Sequence, residues 1–403
     1  MIRIDNKINC CGCTACQQAC PKQCIFMQED SEGFLYPKAD SKVCIDCGLC
    51  ETICPVLNPY ERKVAEPASF ACRSNDADLV EKSSSGGMFT MLATKIIEDG
   101  GVVCGARFAD DWSIMHDYTE TIEGLIAFRG SKYVQSRLGN IFSKVKSCLK
   151  ENRKVLFVGT PCQVAGLNHF LRKDYDHLYT IDIVCHSIAS PKVWKLYLKE
   201  VSKGLSISNI TFRDKSMGWR SYGLYIQGTS KDGEVITLDR GRQTENLFMR
   251  GFLEDLTVRP SCSHCPARNY ITGSDIMLAD CWRLEKYHPE WDDNKGMSQA
   301  IVLTDKGRQL IESIKKDVFI KQIPYNEVED KGVHAPITRS TPAHPYRQYF
   351  FKQLDVDRTS ELISNCLQKW DAKKKRKKML RKYLYLIPGL SILTNVIKYI
   401  KIK

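Results

Sequence analysis

The chain has 403 residues, 43% of them hydrophobic, enough for two or three domains with a sizeable buried core. Its net charge of +12 is local: residues 371–403 carry eleven Lys/Arg and one Asp, so the basic excess belongs to the tail and not to the body. Ten of the nineteen cysteines lie before residue 55, which excludes an evenly spread disulfide framework, and no apolar run reaches the roughly 18–20 residues that span a bilayer.

In chain order, the first element is a doubled cysteine run. Cys10, Cys13, Cys16 and Cys20 follow C-x2-C-x2-C-x3-C and are closed by Pro21. Cys44, Cys47, Cys50 and Cys54 repeat the pattern, closed by Pro55. This is the bacterial ferredoxin spacing for two [4Fe–4S] clusters, in which the fourth cysteine of each run ligates the other cluster. The spacing predicts Cys10, Cys13, Cys16 and Cys54 around one cluster, and Cys44, Cys47, Cys50 and Cys20 around the second. Zinc sites would not explain the twice-repeated CxxxCP ending. Nothing upstream of Ile8 resembles a signal peptide, and thiolate clusters need a reducing compartment, so a cytoplasmic location is expected. Cys11 and Cys24 fall outside the register; Cys24, in CPKQCI, is read as a packing residue.

Residues 1–62 are therefore expected to form a ferredoxin module, with 61–67 as a charged linker. The rest divides into segments 68–175, 176–340 and a helical basic tail at 341–403. Met88–Glu98 has apolar residues at helical spacing, stopped by Gly100 and Gly101. Strands are expected at Val102–Phe108, Ser113–Thr119, Lys154–Val158 and Tyr179–Val184. Helices are expected at Leu138–Lys150, from GTPCQ to Leu171, and from Pro191 to Val201. The alternation predicts an α/β body, with an α+β/α/β multidomain chain overall. Further strands follow near Ile210–Arg213, Tyr222–Gln227, Val235–Leu238, Ile276–Ala279 and Gln299–Leu303. A helix is expected at Leu303–Ile314, and two more between His344 and Trp370.

Several stretches carry chemistry. Ser83–Gly87 (SSSGG) precedes a helix, where small residues and free N–H groups suit a phosphate; an ordinary capped turn fits equally. Arg129–Tyr133 with Gln135 and Ser136 combines cations, hydroxyls and a ring, as a phosphate-binding loop does; an exposed charged turn is the plain alternative. GTPCQ (159–163) sits at a strand-to-helix junction, the ligand-binding position of open α/β sheets. Cys162, Cys185, Cys262, Cys265 and Cys281 are candidate ligands for a third [4Fe–4S] cluster or a structural zinc. Cys72, Cys104, Cys148 and Cys366 read as core residues.

The stretches SSSGGMF, GSKYVQS, KVLFVGTPCQVAGL, IDIVCHSIASPKVW, RDKSMGW, RPSCSHCPARN and SDIMLADCW run in order from Ser83 to Trp282. Together they resemble the beta subunit of the coenzyme F420 (deazaflavin) hydrogenases and dehydrogenases. The resemblance implies an iron–sulfur flavoprotein oxidoreductase that passes electrons between clusters and a hydride-carrying substrate. The fused ferredoxin resembles the bacterial branch, often linked to cell-surface polysaccharide gene sets. It places a flavin, FAD or FMN, with phosphate contacts at Ser84, Ser85, Gly86 and Gly87 and second-side contacts at Ser131, Lys132 and Tyr133. It narrows the third cluster to Cys162, Cys185, Cys262 and Cys265; Cys281 stands where an aromatic residue is expected (DCW rather than DFW) and is left out. Nothing in the sequence makes the deazaflavin coenzyme itself the substrate.

Lys132 and His186 are the catalytic candidates. Lys132, Arg129 and Arg220 can stabilise negative charge. His186 is an acid/base candidate, weighed against a structural histidine beside a ligand cysteine. The expected partners are a redox protein and a small-molecule hydride donor or acceptor. Nucleic acid is not expected, because no readout module is present. The tail, from Lys373–Lys378 to the apolar Leu384–Ile397 segment, suits peripheral contact with anionic lipid at the inner membrane face; a solvated basic helix end with a disordered terminus fits equally. The alternative is an electron-transfer subunit without a substrate of its own.

Overall fold

A computed structural model describes residues 1–60, 67–324, 327, 335–355 and 358–385. The linker expected at 61–67 lies almost wholly outside the described residues, as does the tail from 386 on.

The ferredoxin module contains two short helices, α1 (Ala15–Ala19) and α2 (Leu49–Thr52), each following a cysteine loop. Between them runs an antiparallel hairpin, β1 (Ile25–Glu29) and β2 (Leu35–Ala39), for which the sequence carries no clear alternation. Asp30 Oδ1 builds its turn by accepting from the N–H groups of Glu32 and Phe34.

The body is built on one eight-stranded sheet. Its strands are β3 (Ala68–Ser74), β4 (Val102–Phe108), β5 (Ile114–Thr119), β6 (Val155–Gly159), β7 (Leu178–Ile183), β11 (Ile276–Asp280), β12 (Ser298–Val302) and β13 (Val318–Ile323), in the order β13-β3-β12-β11-β7-β6-β4-β5. The middle strands β4, β6, β7 and β11 are parallel; the flanking pairs are antiparallel. Strands from both sides of residue 175 share this sheet, with β3 inserted between β12 and β13. The parallel strands are near-continuous apolar runs because both faces are covered. After β3 a short helix, α3 (Ala77–Glu81), capped by Asp76, leads into the Ser83–Gly87 loop. On one face of the sheet lies α4 (Met88–Glu98), which buries Met88, Leu92 and Ile96 against Val103, Leu156 and Ile276. On the other lie α5 (Ile141–Lys150) and α6 (Pro161–Leu171).

A second sheet, β8 (Ser206–Asp214), β9 (Gly223–Thr229) and β10 (Val235–Arg242), is antiparallel. It packs with α7 (Pro191–Ser202), α8 (Leu247–Leu253) and the long C-terminal helix Thr359–Tyr385 around Trp194, Phe212, Phe248 and Phe252. Arg250 and Glu254 hold that helix through Asp371 and Lys374. Among the described residues no helix is long and apolar enough to cross a membrane.

The ferredoxin module docks onto α5 and α6, burying Cys13, Ala15 and Ile53 with Phe142 and Leu167. Gln18 crosses the boundary: its Oε1 accepts from the N–H groups of Phe142 and Ser143 at 3.0 and 3.2 Å, capping α5, whose own N-cap side chain makes no such bond. Gly166 permits the approach of α6; a Cβ there would sit 2.6 Å from Cys13 Cβ. The hairpin turn is tied down by Arg347, which pairs with Glu32 through both Nη atoms, and by Ser190 Oγ, which donates to the Glu32 carbonyl.

Candidate functional site

Two cavities lie in the ferredoxin module. Cys10, Cys13, Cys16 and Cys54 line one, together with Cys11. Cys20, Cys44, Cys47 and Cys50 line the other, together with Cys24. Each cavity encloses about 340 Å³ of atom-free space, including its opening. Cys54 thus faces the first run and Cys20 the second. The short helices explain this: α1 and α2 pack together and carry the fourth cysteine of each run back past its neighbour's loop. Cys47 is exposed, whereas Cys10, Cys13 and Cys16 are buried.

The body holds a third group. Cys162 opens α6, Cys185 follows β7, and Cys262 and Cys265 lie on the turn after Arg259. The four are close enough to raise one another's thiol pKa. Burial and then Cys262, Cys162 and Cys265 push the Cys185 thiol well up. Burial chiefly pushes Cys262 up to about 12. Cys16 is pushed up to about 12 by burial, then by Cys10 and Cys54. Buried thiols crowded in this way lose their protons when a metal centre supplies positive charge. Among the described residues no three His, Cys, Asp or Glu side chains close around a single ion. The eight ferredoxin cysteines surround cavities instead, and soft sulfur donors around a cavity fit an iron–sulfur cluster.

Cys24 packs in the apolar cluster of the ferredoxin module with Ile2, Cys16 and Ile25. Cys24 Sγ is 3.4 Å from Cys20 Sγ at the second cavity. Cys11 is buried beside Cys13 and Cys162, and the Cys162 thiol is pushed well up, first by the neighbouring Cys11 and then by burial. Cys11 therefore links the first cavity to the third cysteine group. Cys281 lies elsewhere, packed among Trp219, Met297 and Leu284.

The third group borders a large cleft at the carboxyl ends of the parallel strands. Gly105 and Ala106 of β4, Val158–Thr160 at the end of β6, Ile183 and Val184 at the end of β7, and Leu278–Asp280 of β11 form its floor. This is where open α/β sheets bind ligands. The cavity holds about 280 Å³, close to the roughly 300 Å³ at which small-molecule sites begin. Ser83, Ser84, Ser85, Gly87, Ser131, Lys132 and Tyr133 line its walls. Gly87, at φ +82°, starts α4 with no side-chain cap, so the first turn of an eleven-residue helix opens on the cleft. Gly86 is turned away: its N–H donates to Ser298 Oγ at 2.9 Å, and a Cβ would meet the Cys72 carbonyl at 2.6 Å. Ser84 Oγ accepts from Ser131 N–H at 2.7 Å, joining the two loops.

Lys132 is half-buried, and its Nζ donates to the carbonyls of Phe128, Arg129 and Gly130 at 3.3, 2.9 and 3.1 Å. Three acceptors describe an ammonium. Burial pulls its pKa down to about 7. A negative group entering the cleft would restore the charge.

Three cleft residues have no local signal in the sequence. Arg213 makes a bidentate pair with Asp280 at 2.8 and 3.1 Å, donates to Ser84 O and Tyr133 OH, and lies 3.8 Å from the Tyr222 ring centroid. Its Nε has no partner among the described residues. His116 contacts Ser136 Oγ through Nδ1 at 2.9 Å and the Val158 carbonyl through Nε2 at 3.2 Å; burial pulls its pKa down to about 4, so it stays neutral. Arg213 and Asp280 stand in RDKSMGW and SDIMLADCW, but nothing nearby in the chain pairs them.

Besides Gly86, two expected residues lie outside the cleft lining. Arg220 pairs with Asp292 at 2.5 Å. His186 Nε2 lies 3.1 Å from Asp255 Oδ1, at ion-pair distance but without hydrogen-bond alignment, and its ring meets Phe252 edge-on.

Comparison with known proteins matches residues 69–142 to the N-terminal region, and 152–328 to the C-terminal region, of the coenzyme F420 hydrogenase/dehydrogenase beta subunit. The chain belongs to this family. Residues 9–58 match a 4Fe-4S dicluster domain, so this member is an iron–sulfur protein of an oxidoreductase family. It is 24% identical over 359 residues to an F(420)H(2) dehydrogenase component of Methanosarcina mazei, covering 84% of this chain and 92% of that one. A 7Fe ferredoxin from Hydrogenibacillus schlegelii is 45% identical over 46 residues, 11% of this chain and 53% of its own. Among solved structures, a chain of the F420-reducing [NiFe] hydrogenase complex from Methanosarcina barkeri superposes with a TM-score of 0.42 at 17% identity, over 79% of this chain and 95% of that one.

Proposed function

We propose that the chain connects a redox partner protein to a small-molecule hydride donor or acceptor. Cys10, Cys13, Cys16 and Cys54 hold one [4Fe–4S] cluster, Cys44, Cys47, Cys50 and Cys20 a second, and Cys162, Cys185, Cys262 and Cys265 a third. FAD or FMN occupies the cleft. The clusters supply one-electron steps, and the flavin couples them to two-electron hydride exchange.

The observation that carries this reading is the order of sites along one line of contacts. The exposed Cys47 set is outermost, the buried Cys10 set follows, and Cys11 abuts Cys162. Thr160 and Val184 line the cleft, two residues before Cys162 and one before Cys185. The chain's own residues then have definite tasks. The first turn of α4 with Ser84 and Ser85 binds phosphate oxygens. Arg213, held flat by Asp280 and Tyr222, and Lys132 offset negative charge that develops on the ligand. His116 stays neutral and donates to the Val158 carbonyl, fixing Ser136 at the cleft wall. The apolar strand ends exclude water.

The basic and apolar tail sequence, residues 371–403, is assigned to peripheral contact with anionic lipid on the cytoplasmic side. Lys374, nearer the body, is already used to hold Glu254.

Anaerobic titration of the iron-loaded protein with FAD and with FMN tests the cleft assignment. One flavin bound per chain, reducible through the clusters, is expected. Failure to take up either flavin would favour an electron-transfer subunit with no substrate of its own.

A further inference from the structure

One cation lies between the ferredoxin module and the third cysteine group. Arg259 is 1% exposed. Its backbone leads into the turn Pro260–His264, and its carbonyl accepts from the Cys262 N–H at 3.1 Å. Its side chain crosses into the other module. Nε donates to the Cys10 carbonyl at 2.9 Å, Nη2 donates to the Leu35 carbonyl at 2.9 Å, and Nη2 lies 3.7 Å from Cys10 Sγ. Nη1 donates to Gln135 Oε1 at 2.9 Å. The guanidinium sits 4.3 Å from the Tyr36 ring centroid. Gly12, inside the first cysteine run, leaves room for it: a Cβ there would meet Nη1 at 3.0 Å and Gln135 Nε2 at 2.7 Å.

Among the described residues no carboxylate pairs with Arg259; its acceptors are neutral oxygens and one cysteine sulfur. A buried guanidinium without an anion is costly. The cost is offset if the cysteines around it carry thiolate charge. Its position between Cys10 and Cys262 supplies two such groups. Adding an electron to a thiolate-held centre adds negative charge, so a cation fixed beside it favours the reduced state. The set containing Cys47 is open to solvent on its other side, where charge is screened.

We propose that Arg259 is the built-in counter-charge of the two centres it sits between, raising the reduction potentials of the Cys10 and Cys262 centres relative to the Cys47 centre. The proposal rests on the iron–sulfur reading above. It makes the junction between the modules a favourable place for an electron to rest before it reaches the cleft.

The test is a redox titration of the full chain, loaded with iron anaerobically and followed by electron paramagnetic resonance. In Arg259→Gln, the reduced-to-oxidised ratio of the Cys10 and Cys262 centres at fixed potential should fall at least tenfold, about 59 mV for a one-electron couple. The Cys47 centre should stay within threefold, and Arg259→Lys should keep all three within threefold. Gln135→Glu leaves Arg259 in place but brings a carboxylate to Nη1, so it should lower the same two potentials without disturbing assembly. Unchanged potentials in Gln135→Glu, an equal shift of all three centres, or a loss in Arg259→Lys as large as in Arg259→Gln would overturn the proposal. If the wild-type protein holds only two reducible centres, the three-centre reading fails at that step, and the Cys10 centre alone decides the role of Arg259.

Discussion

Asp182 lies near the carboxyl end of β7, fully buried, with Oδ2 accepting from Thr272 Oγ1 at 2.7 Å and Oδ1 without a partner among the described residues. Burial raises its pKa from 3.8 to about 7. The sign is opposite to that of a salt-bridged carboxylate. The folded state holds the proton more tightly than the unfolded chain, so stability falls as pH rises from about 4 to about 7. At 1.36 kcal/mol per pKa unit, the ionised carboxylate costs roughly 2 kcal/mol at pH 5 and roughly 4 kcal/mol at pH 8. Asp182→Asn removes the titration but leaves an amide where Oδ1 was unpaired, a pH-independent penalty of about 1–3 kcal/mol. The difference between variant and wild type should therefore move by about 2–3 kcal/mol in the variant's favour between pH 5 and pH 8. Anaerobic denaturant unfolding at several pH values measures it. Parallel stability profiles for the two proteins would refute the assigned cause.

Lys132→Met should flatten a second titration. The wild type gains stability relative to the variant as pH rises from about 7 towards 10, because its folded pKa is depressed; a constant difference across that range would show that Lys132 does not titrate in the fold. Flavin binding by the wild type should take up protons near neutral pH, as calorimetry in two buffers of different ionisation enthalpy can detect. Gly166→Ala should cost about 1–3 kcal/mol despite the better helix former, since its Cβ would overlap Cys13. The accompanying change should be confined to the Cys10 centre in paramagnetic resonance spectra. Asp280→Asn leaves the Arg213 charge buried without its carboxylate and should destabilise by about 3–5 kcal/mol in thermal or chemical unfolding.

The two cysteine runs were legible because their ligands are close in sequence and the spacing itself is the signal. The strands that carry the cleft were legible for a similar reason: KVLFV and YTIDIV are apolar runs ended by Gly159 and Cys185, so their carboxyl ends pointed to the site. Much else depends on contacts between distant segments. Cys11 faces Cys162 across the module boundary, and no local pattern separates it from a packing thiol. Arg259 has its partners at Cys10, Leu35 and Gln135, all far away in the chain. The Arg213–Asp280 pair spans two sheets. Arg220 was expected to stabilise negative charge on the ligand, yet Asp292 captures it. The β1–β2 hairpin was obscured by the cysteines on both sides, and β13, VFIKQI at the sheet edge, by the lack of a period-two alternation.

The central claim is that three cysteine-held iron–sulfur centres lead to the cleft. Metal and sulfide analysis of anaerobically purified full-length protein tests it most directly. The account predicts about 12 Fe per chain, four for each cluster, with no stoichiometric zinc. About 8 Fe with one Zn would contradict it, leaving Cys162, Cys185, Cys262 and Cys265 as a structural metal site instead of the last step before the cleft.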